Sequence, residues 1–460
     1  MTKPDTLVAR LDNLPISKWH IRLMVIVCLG ILFDAYDTTI MSVAFPQLMS
    51  EWGITKVQTG LLGSAGFIGM LIGALFSGIL SDYVGRVRVF QYTIVVYALF
   101  MGVCAFTNSF PVLFALRILV GIGLGGLVPV GAAYLSEYIP SKVRGRFMSI
   151  FNANFSLGVT VAYAIGFLIV APYGWRWGFI IGALPVFMYF AAKAYLPESA
   201  RFLLQKNKVE DAVKTVETIE KQVINTVSVP FEEAVRIEKE VKAATKEETK
   251  ASIAVLFKKD LIKTTIMVSI LWFSLQYSIY AIMVWMPILL KAELGYSLAS
   301  GLGFLAFGSL LGALATPLAG VSADFIGRKI TVLLCFILYG LSAYFLFWFG
   351  ANPAYGTILL VVNLIILGMA NGIVYVYSPE NFPTKARGTG MGLASATGRL
   401  GGILGPTIVG IIYSFSSIET VLHINMAVLL FGSLVVMVLG RETRNKTLEE
   451  ISGESVSASH

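Results

Sequence analysis

Apolar runs of about 20 residues recur along the whole chain, and each is long enough to cross a hydrocarbon core of roughly 30 Å as an α-helix. Only 13% of the 460 residues are charged, whereas soluble domains usually contain about 25%. The runs are continuous and do not alternate with a period of two, as the strands of a membrane barrel would. The sequence therefore predicts an all-α polytopic membrane protein.

The apolar runs predict twelve transmembrane helices, with a polar insert between the sixth and the seventh. They lie near 22–43, 57–80, 88–107, 112–134, 147–170, 176–196, 263–290, 298–320, 329–349, 355–377, 388–413 and 420–440. The predicted domains are an N-terminal six-helix bundle at 1–196, a cytosolic linker with amphipathic helices at 197–262, a C-terminal six-helix bundle at 263–440 and a cytosolic tail at 441–460.

Basic residues concentrate in alternate loops and in the linker, whereas the intervening loops TNSFP, GANPAYG and SFSSIET contain no Lys or Arg. The positive-inside rule then predicts a multi-pass protein of the cell membrane with both termini in the cytosol. The net charge of +8 is explained by this topology, and no nucleic-acid partner is expected. Cys28, Cys104 and Cys335 fall in apolar segments and are expected to pack as free thiols.

Two loop motifs repeat at nearly the same displacement. GILSDYVGR at 78–86 matches GVSADFIGR at 320–328, and EYIPSKVRG at 137–145 matches ENFPTKARG at 380–388. Asp82 and Asp324 are 242 residues apart, and Glu137 and Glu380 are 243 residues apart. The chain is therefore predicted to contain two six-helix pseudo-repeats of parallel topology, an arrangement known among secondary transporters.

Four charged residues inside the predicted helices break this repeat. Asp34 and Asp37 lie in the first helix, Arg117 in the fourth and Arg399 in the eleventh, and the positions one repeat away are uncharged. A charge at the membrane centre costs roughly 2.5–3.5 kcal/mol and needs a reason. At 1.5 Å per residue, all four and Gln276 of the seventh helix lie about 17–22 Å above the cytosolic side. One-sided charges in one layer favour a substrate or ion site over a structural role shared by both halves.

The motifs D-x-x-G-R after helices two and eight, RILVGIG in helix four, PESARFLL after helix six and PENFPTKARG after helix ten resemble the major facilitator superfamily. Within it, DAYD in helix one, RILVGIGLGGLVP and GRLGGILGP resemble proton symporters for aromatic acids and nicotinate, although their helix-one motif usually reads Asp-Gly-x-Asp. PESARFLL is also similar to sugar and organic-cation porters. Helix five has no proline, unlike that of drug antiporters, and this favours uptake over efflux.

The charges suggest separate roles. A guanidinium matches the two oxygens of a carboxylate, so Arg117 and Arg399 are the predicted anion ligands from opposite halves. Asp34 or Asp37 is the predicted proton carrier; Asp34 is favoured because it lies deeper, and Asp37 could instead pair with Arg117. The alternative is that all four form structural ion pairs. Further predicted substrate contacts are Tyr36, Gln276, Tyr277, Tyr280, Asn371 and Tyr375.

The family resemblance implies ion-pair networks that latch the cytosolic side, with Glu137 near Arg144 and Glu380 near Arg387. The predicted gating residues are Asp82, Arg86, Glu137, Arg144, Asp324, Arg328, Glu380 and Arg387.

The sequence thus predicts a monomeric secondary transporter that imports a small organic anion, favoured to be an aromatic or heteroaromatic carboxylate, together with protons. A sugar or organic-cation proton symporter is the alternative within transport, and a transporter-like receptor is the alternative from another class. No enzyme motif such as HExxH, GxSxG or a phosphate loop is present, and no cofactor or metal is expected.

Overall fold

Twelve helices long and apolar enough to cross a membrane make up most of the computed structural model, which describes residues 6–244 and 253–444. The predicted fold class is confirmed. We number these helices TM1 (Lys18–Trp52), TM2 (Lys56–Val84), TM3 (Arg86–Cys104), TM4 (Phe110–Tyr138), TM5 (Ser141–Tyr173), TM6 (Trp175–Tyr195), TM7 (Ile262–Met283), TM8 (Leu298–Ile326), TM9 (Arg328–Phe349), TM10 (Tyr355–Glu380), TM11 (Ala386–Phe415) and TM12 (Ile418–Leu439).

Local sequence signals set the helix ends. Thr55 and Gln58 form a capping box at the start of TM2, and Ser297 caps the start of TM8. Gly85 and Gly327 join TM2 to TM3 and TM8 to TM9 with φ angles of 112° and 97°, a region that side chains with a Cβ rarely adopt. These glycines allow the sharp turns that the repeated loop motif requires.

TM1–TM6 and TM7–TM12 form two halves that meet mainly at one end. We call the end where TM6 finishes and TM7 begins the linker side, and the opposite end the far side. TM2 packs against TM11, and TM5 packs against TM8. The hydroxyls of Ser64 and Thr407 lie 2.7 Å apart, and those of Thr160 and Ser309 lie 3.1 Å apart. These cross-half contacts lie in the far-side portions of their helices, so the halves are closed together at the far side.

The linker forms a helical cap with the N-terminal segment. The predicted amphipathic stretches are helices at Val209–Ile224 and Phe231–Ala244, and the rest of the second stretch, 245–250, lies outside the described residues. A short helix at Leu7–Asp12 docks on them, with Arg10 donating two hydrogen bonds to Glu220. Of the predicted tail, only 441–444 are described. The three cysteines are buried and free, as predicted.

Candidate functional site

Arg117 and Asp37 form a buried ion pair inside the N-terminal half. Arg117 Nη1 and Nη2 donate to the two carboxylate oxygens of Asp37 at 2.6 and 2.7 Å. The side chains of Asp37 and Arg117 are 0% and 2% exposed. Arg117 reaches this position because the glycines at 121 and 125 let TM4 approach TM2 closely. The pair is bidentate and neutral overall, so the charge of Arg117 is already satisfied by the protein.

Asp34 and Arg399 face each other from opposite halves in a different arrangement. Each is half-buried, and each lies close enough to influence the other electrostatically. Among the described residues the two do not form a direct ion pair. Arg399 Nη1 instead donates to the backbone carbonyl of Met70 in TM2 at 2.6 Å. A neutral carbonyl leaves the guanidinium with a charge that an incoming anion could satisfy.

Aromatic rings surround this charged pair. Tyr280 and Tyr375 both interact electrostatically with Asp34 and with Arg399. Tyr280 packs on Phe67 of the other half with ring centroids 4.3 Å apart. Tyr375 packs on Trp272 at 4.8 Å and is 44% exposed. The site therefore combines one cation, one carboxylate and aromatic faces, which suit a planar anionic ligand.

The other predicted substrate contacts are distributed differently. Tyr36 is 0% exposed, and its hydroxyl donates to the Gly178 carbonyl at 2.8 Å, so it is placed inside the N-terminal half and away from Arg399. Tyr277 is also buried and stacks on Phe273. Gln276 packs against Gly398, next to Arg399. Asn371 is half-buried on TM10, one turn before Tyr375.

The predicted gating residues of the N-terminal half lie at the linker side. Arg86 forms an ion pair with Glu137, which also accepts a hydrogen bond from the Ser199 hydroxyl. The pairing of Glu137 with Arg144 is thus replaced by a pairing with Arg86, because Arg144 turns back to donate to the Ile139 carbonyl at 3.1 Å. Asp82 is exposed at the end of TM2.

The C-terminal half repeats this arrangement. Arg328 contacts Glu380 at 3.4 Å and Asp324 at 2.8 Å, and Glu380 accepts a hydrogen bond from the Thr443 hydroxyl. Arg387 donates to the Pro379 carbonyl at 3.1 Å. Each network lies within one half, so in this structure neither network joins the two halves.

Sequence reasoning missed two acidic residues at the centres of these networks. Glu198 accepts hydrogen bonds from the backbone N–H groups of Arg86 and Val87 at the start of TM3. Glu442 accepts the equivalent bonds from Arg328 and Lys329 at the start of TM9. Burial alone would raise the pKa of Glu442, but these and other backbone donors outweigh it and hold the pKa below its ordinary value. Both carboxylates bind at the positive end of a helix.

Twelve spanning helices in two halves, with charged side chains buried inside and between them, define a membrane transporter. The chain belongs to the family described as "Sugar (and other) transporter", which matches residues 23–454, within the major facilitator superfamily that the loop motifs resemble. It is therefore a transporter and not an enzyme.

Known proteins similar to this chain include bacterial transporters of organic acids. The niacin transporter NiaP of Acinetobacter baylyi is 34% identical over 97% of this chain and 99% of its own. The 4-hydroxybenzoate transporter PcaK of the same organism is 29% identical over 91% of each chain. The xylose transporter XylE from E. coli, in a partially occluded inward-open conformation, has a TM-score of 0.74 at 19% identity and covers 94% of this chain and 100% of its own.

Proposed function

We propose that this transporter imports a small aromatic or heteroaromatic carboxylate by proton symport with alternating access. It acts as a monomer in the cell membrane, with the linker side and both termini in the cytosol. The observation that carries this proposal is the environment of Arg399, the buried cation of the central layer whose charge is not neutralised by a direct carboxylate partner among the described residues.

The substrate carboxylate binds Arg399 and replaces the Met70 carbonyl. A charge-assisted pair with a guanidinium is roughly twice as strong as a hydrogen bond between neutral groups. Tyr280 and Tyr375 contact the substrate ring and orient it by their hydroxyls. The names of the relatives support this class, because niacin and 4-hydroxybenzoate are both planar aromatic carboxylates.

Asp34 carries the coupled proton in this proposal. It is half-buried beside the substrate cation, where a change in its charge acts directly on Arg399. Asp37 remains paired with Arg117 throughout the cycle, because both of its oxygens are already used in the bidentate contact. This division of roles gives the two aspartates different phenotypes.

Matched acid and amide ligands test the substrate class. Binding to the purified transporter should occur with nicotinate and benzoate but not with nicotinamide and benzamide, which have the same shape without the charge. Arg399→Gln should weaken nicotinate binding by tenfold or more, and Arg399→Lys, which keeps the charge but loses the fork, should weaken it less. Equal binding of acid and amide would refute the anion proposal, and binding of xylose alone would favour a sugar symporter.

Proteoliposomes test the proton coupling. An inward proton gradient should drive uphill uptake of labelled nicotinate by the parent protein. Asp34→Asn should abolish this accumulation but retain exchange of external for internal substrate, because exchange needs no net proton movement. Uphill accumulation by Asp34→Asn, or uptake independent of the gradient, would show that the assignment is wrong. Binding without any uptake or exchange would instead indicate a receptor.

A further inference from the structure

TM2 and TM11 form a continuous seam across the two halves at the far side. Gly60 and Gly410 lie at the point of closest approach, where a Cβ on Gly60 would lie 3.2 Å from the Gly410 Cα. One turn further into the membrane, Ser64 donates to the Ile403 carbonyl at 2.5 Å and shares a hydrogen bond with Thr407. The seam is therefore closely packed and polar contacts fix its register.

A lysine closes the outermost end of this seam. Lys56 is the first residue of TM2, and its ammonium donates to the backbone carbonyl of Tyr413 in TM11 at 2.9 Å. The same ammonium lies 3.4 Å from the centre of the Tyr413 ring. One cation thus makes a hydrogen bond and a cation–π contact with the same residue of the opposite half.

The Tyr413 ring is held in place from its own half. Its hydroxyl hydrogen-bonds to Glu293, which follows the short helix Met286–Ala292 after TM7. Trp285 contacts the ring edge at 5.8 Å and donates its indole N–H to the Pro406 carbonyl at 3.2 Å. The contacts from Glu293 and Trp285 orient the aromatic face toward Lys56, so the ring forms a preorganised receptor for this cation.

We propose that Lys56, Tyr413 and Glu293 form a latch that keeps the far side closed and sets how often it opens. Lys56 is a positioning residue: it lies at the far-side end of the seam and acts on transport through the balance between conformations. Opening of the far side must separate TM2 from TM11, and the contacts of Lys56 must then be exchanged for water. The inference holds for any substrate and does not depend on the proposed anion.

The distance across the far side measures the latch directly. Spin labels at Val112→Cys and Ala351→Cys lie on exposed far-side positions of the two halves, in a background where the three buried native cysteines are replaced by Ala. Pulsed EPR on the full-length protein in nanodiscs then reports the ratio of open to closed far sides without any ligand. Lys56→Met should raise this ratio about tenfold, which corresponds to about 1.4 kcal/mol.

Matched variants separate the latch from a general charge or folding effect. Lys291→Met removes an exposed lysine on the same side and should leave the ratio unchanged. Lys56→Arg keeps the cation and should stay within threefold of the parent, and Tyr413→Phe, which loses only the contact with Glu293, should lie between the parent and Lys56→Met. An unchanged ratio in a folded Lys56→Met protein, or an equal rise in Lys291→Met, would overturn the proposal.

Discussion

Removal of one partner of the Asp37–Arg117 pair should destabilise the protein far more than removal of both. Arg117→Met leaves the Asp37 carboxylate buried, 0% exposed, with two unsatisfied oxygens. Breaking a buried pair in this way costs about 3–5 kcal/mol, whereas replacing both partners by apolar groups is often close to neutral. We therefore expect a loss of about 3–5 kcal/mol for Arg117→Met and for Asp37→Leu, and a smaller loss for the double variant than for either single one.

Reversible unfolding in mixed detergent micelles measures the four free energies of this double-mutant cycle. Asp34→Asn is the matched control: it changes a carboxylate three residues away that makes no direct ion pair among the described residues, and it should change stability by less than about 1 kcal/mol. The double variant should also still bind nicotinate. Additive losses, with a coupling energy below about 1 kcal/mol, would refute the pairing, and a specific loss of nicotinate binding would make Arg117 a substrate ligand.

Two further outcomes concern residues at the linker side. Burial raises the pKa of Glu220, but hydrogen bonds from Arg10 and Ser228 outweigh it and lower the pKa from the usual 4.5; the docking of helix Leu7–Asp12 should therefore be complete above that value and be lost as the pH falls further, which hydrogen exchange of this helix can measure against Glu220→Gln. Gly327→Ala should destabilise by about 1–2 kcal/mol because of its positive φ, whereas Gly320→Ala, where a Cβ meets open space, should be neutral or stabilise by up to about 1 kcal/mol in thermal melts.

The fold was predictable because membrane length and an internal repeat are properties of the sequence itself. The side-chain directions were less so. The height of Tyr36 on its helix agreed with that of Asp34, but height uses only the rise per residue. Two residues correspond to a rotation of about 200°, which directs Tyr36 to TM6 and Asp34 to the opposite half. Helix rotation alone would have separated these two residues.

The networks at the linker side required tertiary information of another kind. Glu198 and Glu442 bind helix N-termini that are more than a hundred residues away in the chain, and no local pattern reveals such a contact. A signal was nevertheless present, because the two residues are 244 residues apart, close to the displacement of the loop motifs. Extending the repeat comparison to every acidic residue would have identified the pair before their partners were known.

The charges of the central layer give a proton stoichiometry that can be tested. Asp34, Asp37, Arg117 and Arg399 sum to zero when all are ionised, so the empty layer is neutral. Binding of a monocarboxylate alone leaves a net charge of −1, and protonation of Asp34 alone leaves +1; either is costly in a medium of low dielectric constant. Only the empty layer and the layer loaded with one anion and one proton are neutral, and these are the states expected to change conformation.

One proton per monocarboxylate makes transport electroneutral. Uptake of nicotinate into proteoliposomes should therefore respond to a proton gradient but be unchanged by a potassium diffusion potential set with valinomycin. Asp34→Asn keeps the layer positively charged when empty and neutral when the anion is bound, so its residual anion movement should become sensitive to that potential. Potential-driven uptake by the parent protein would mean that more than one proton accompanies each anion, and a second carboxylate would then have to be sought outside this layer.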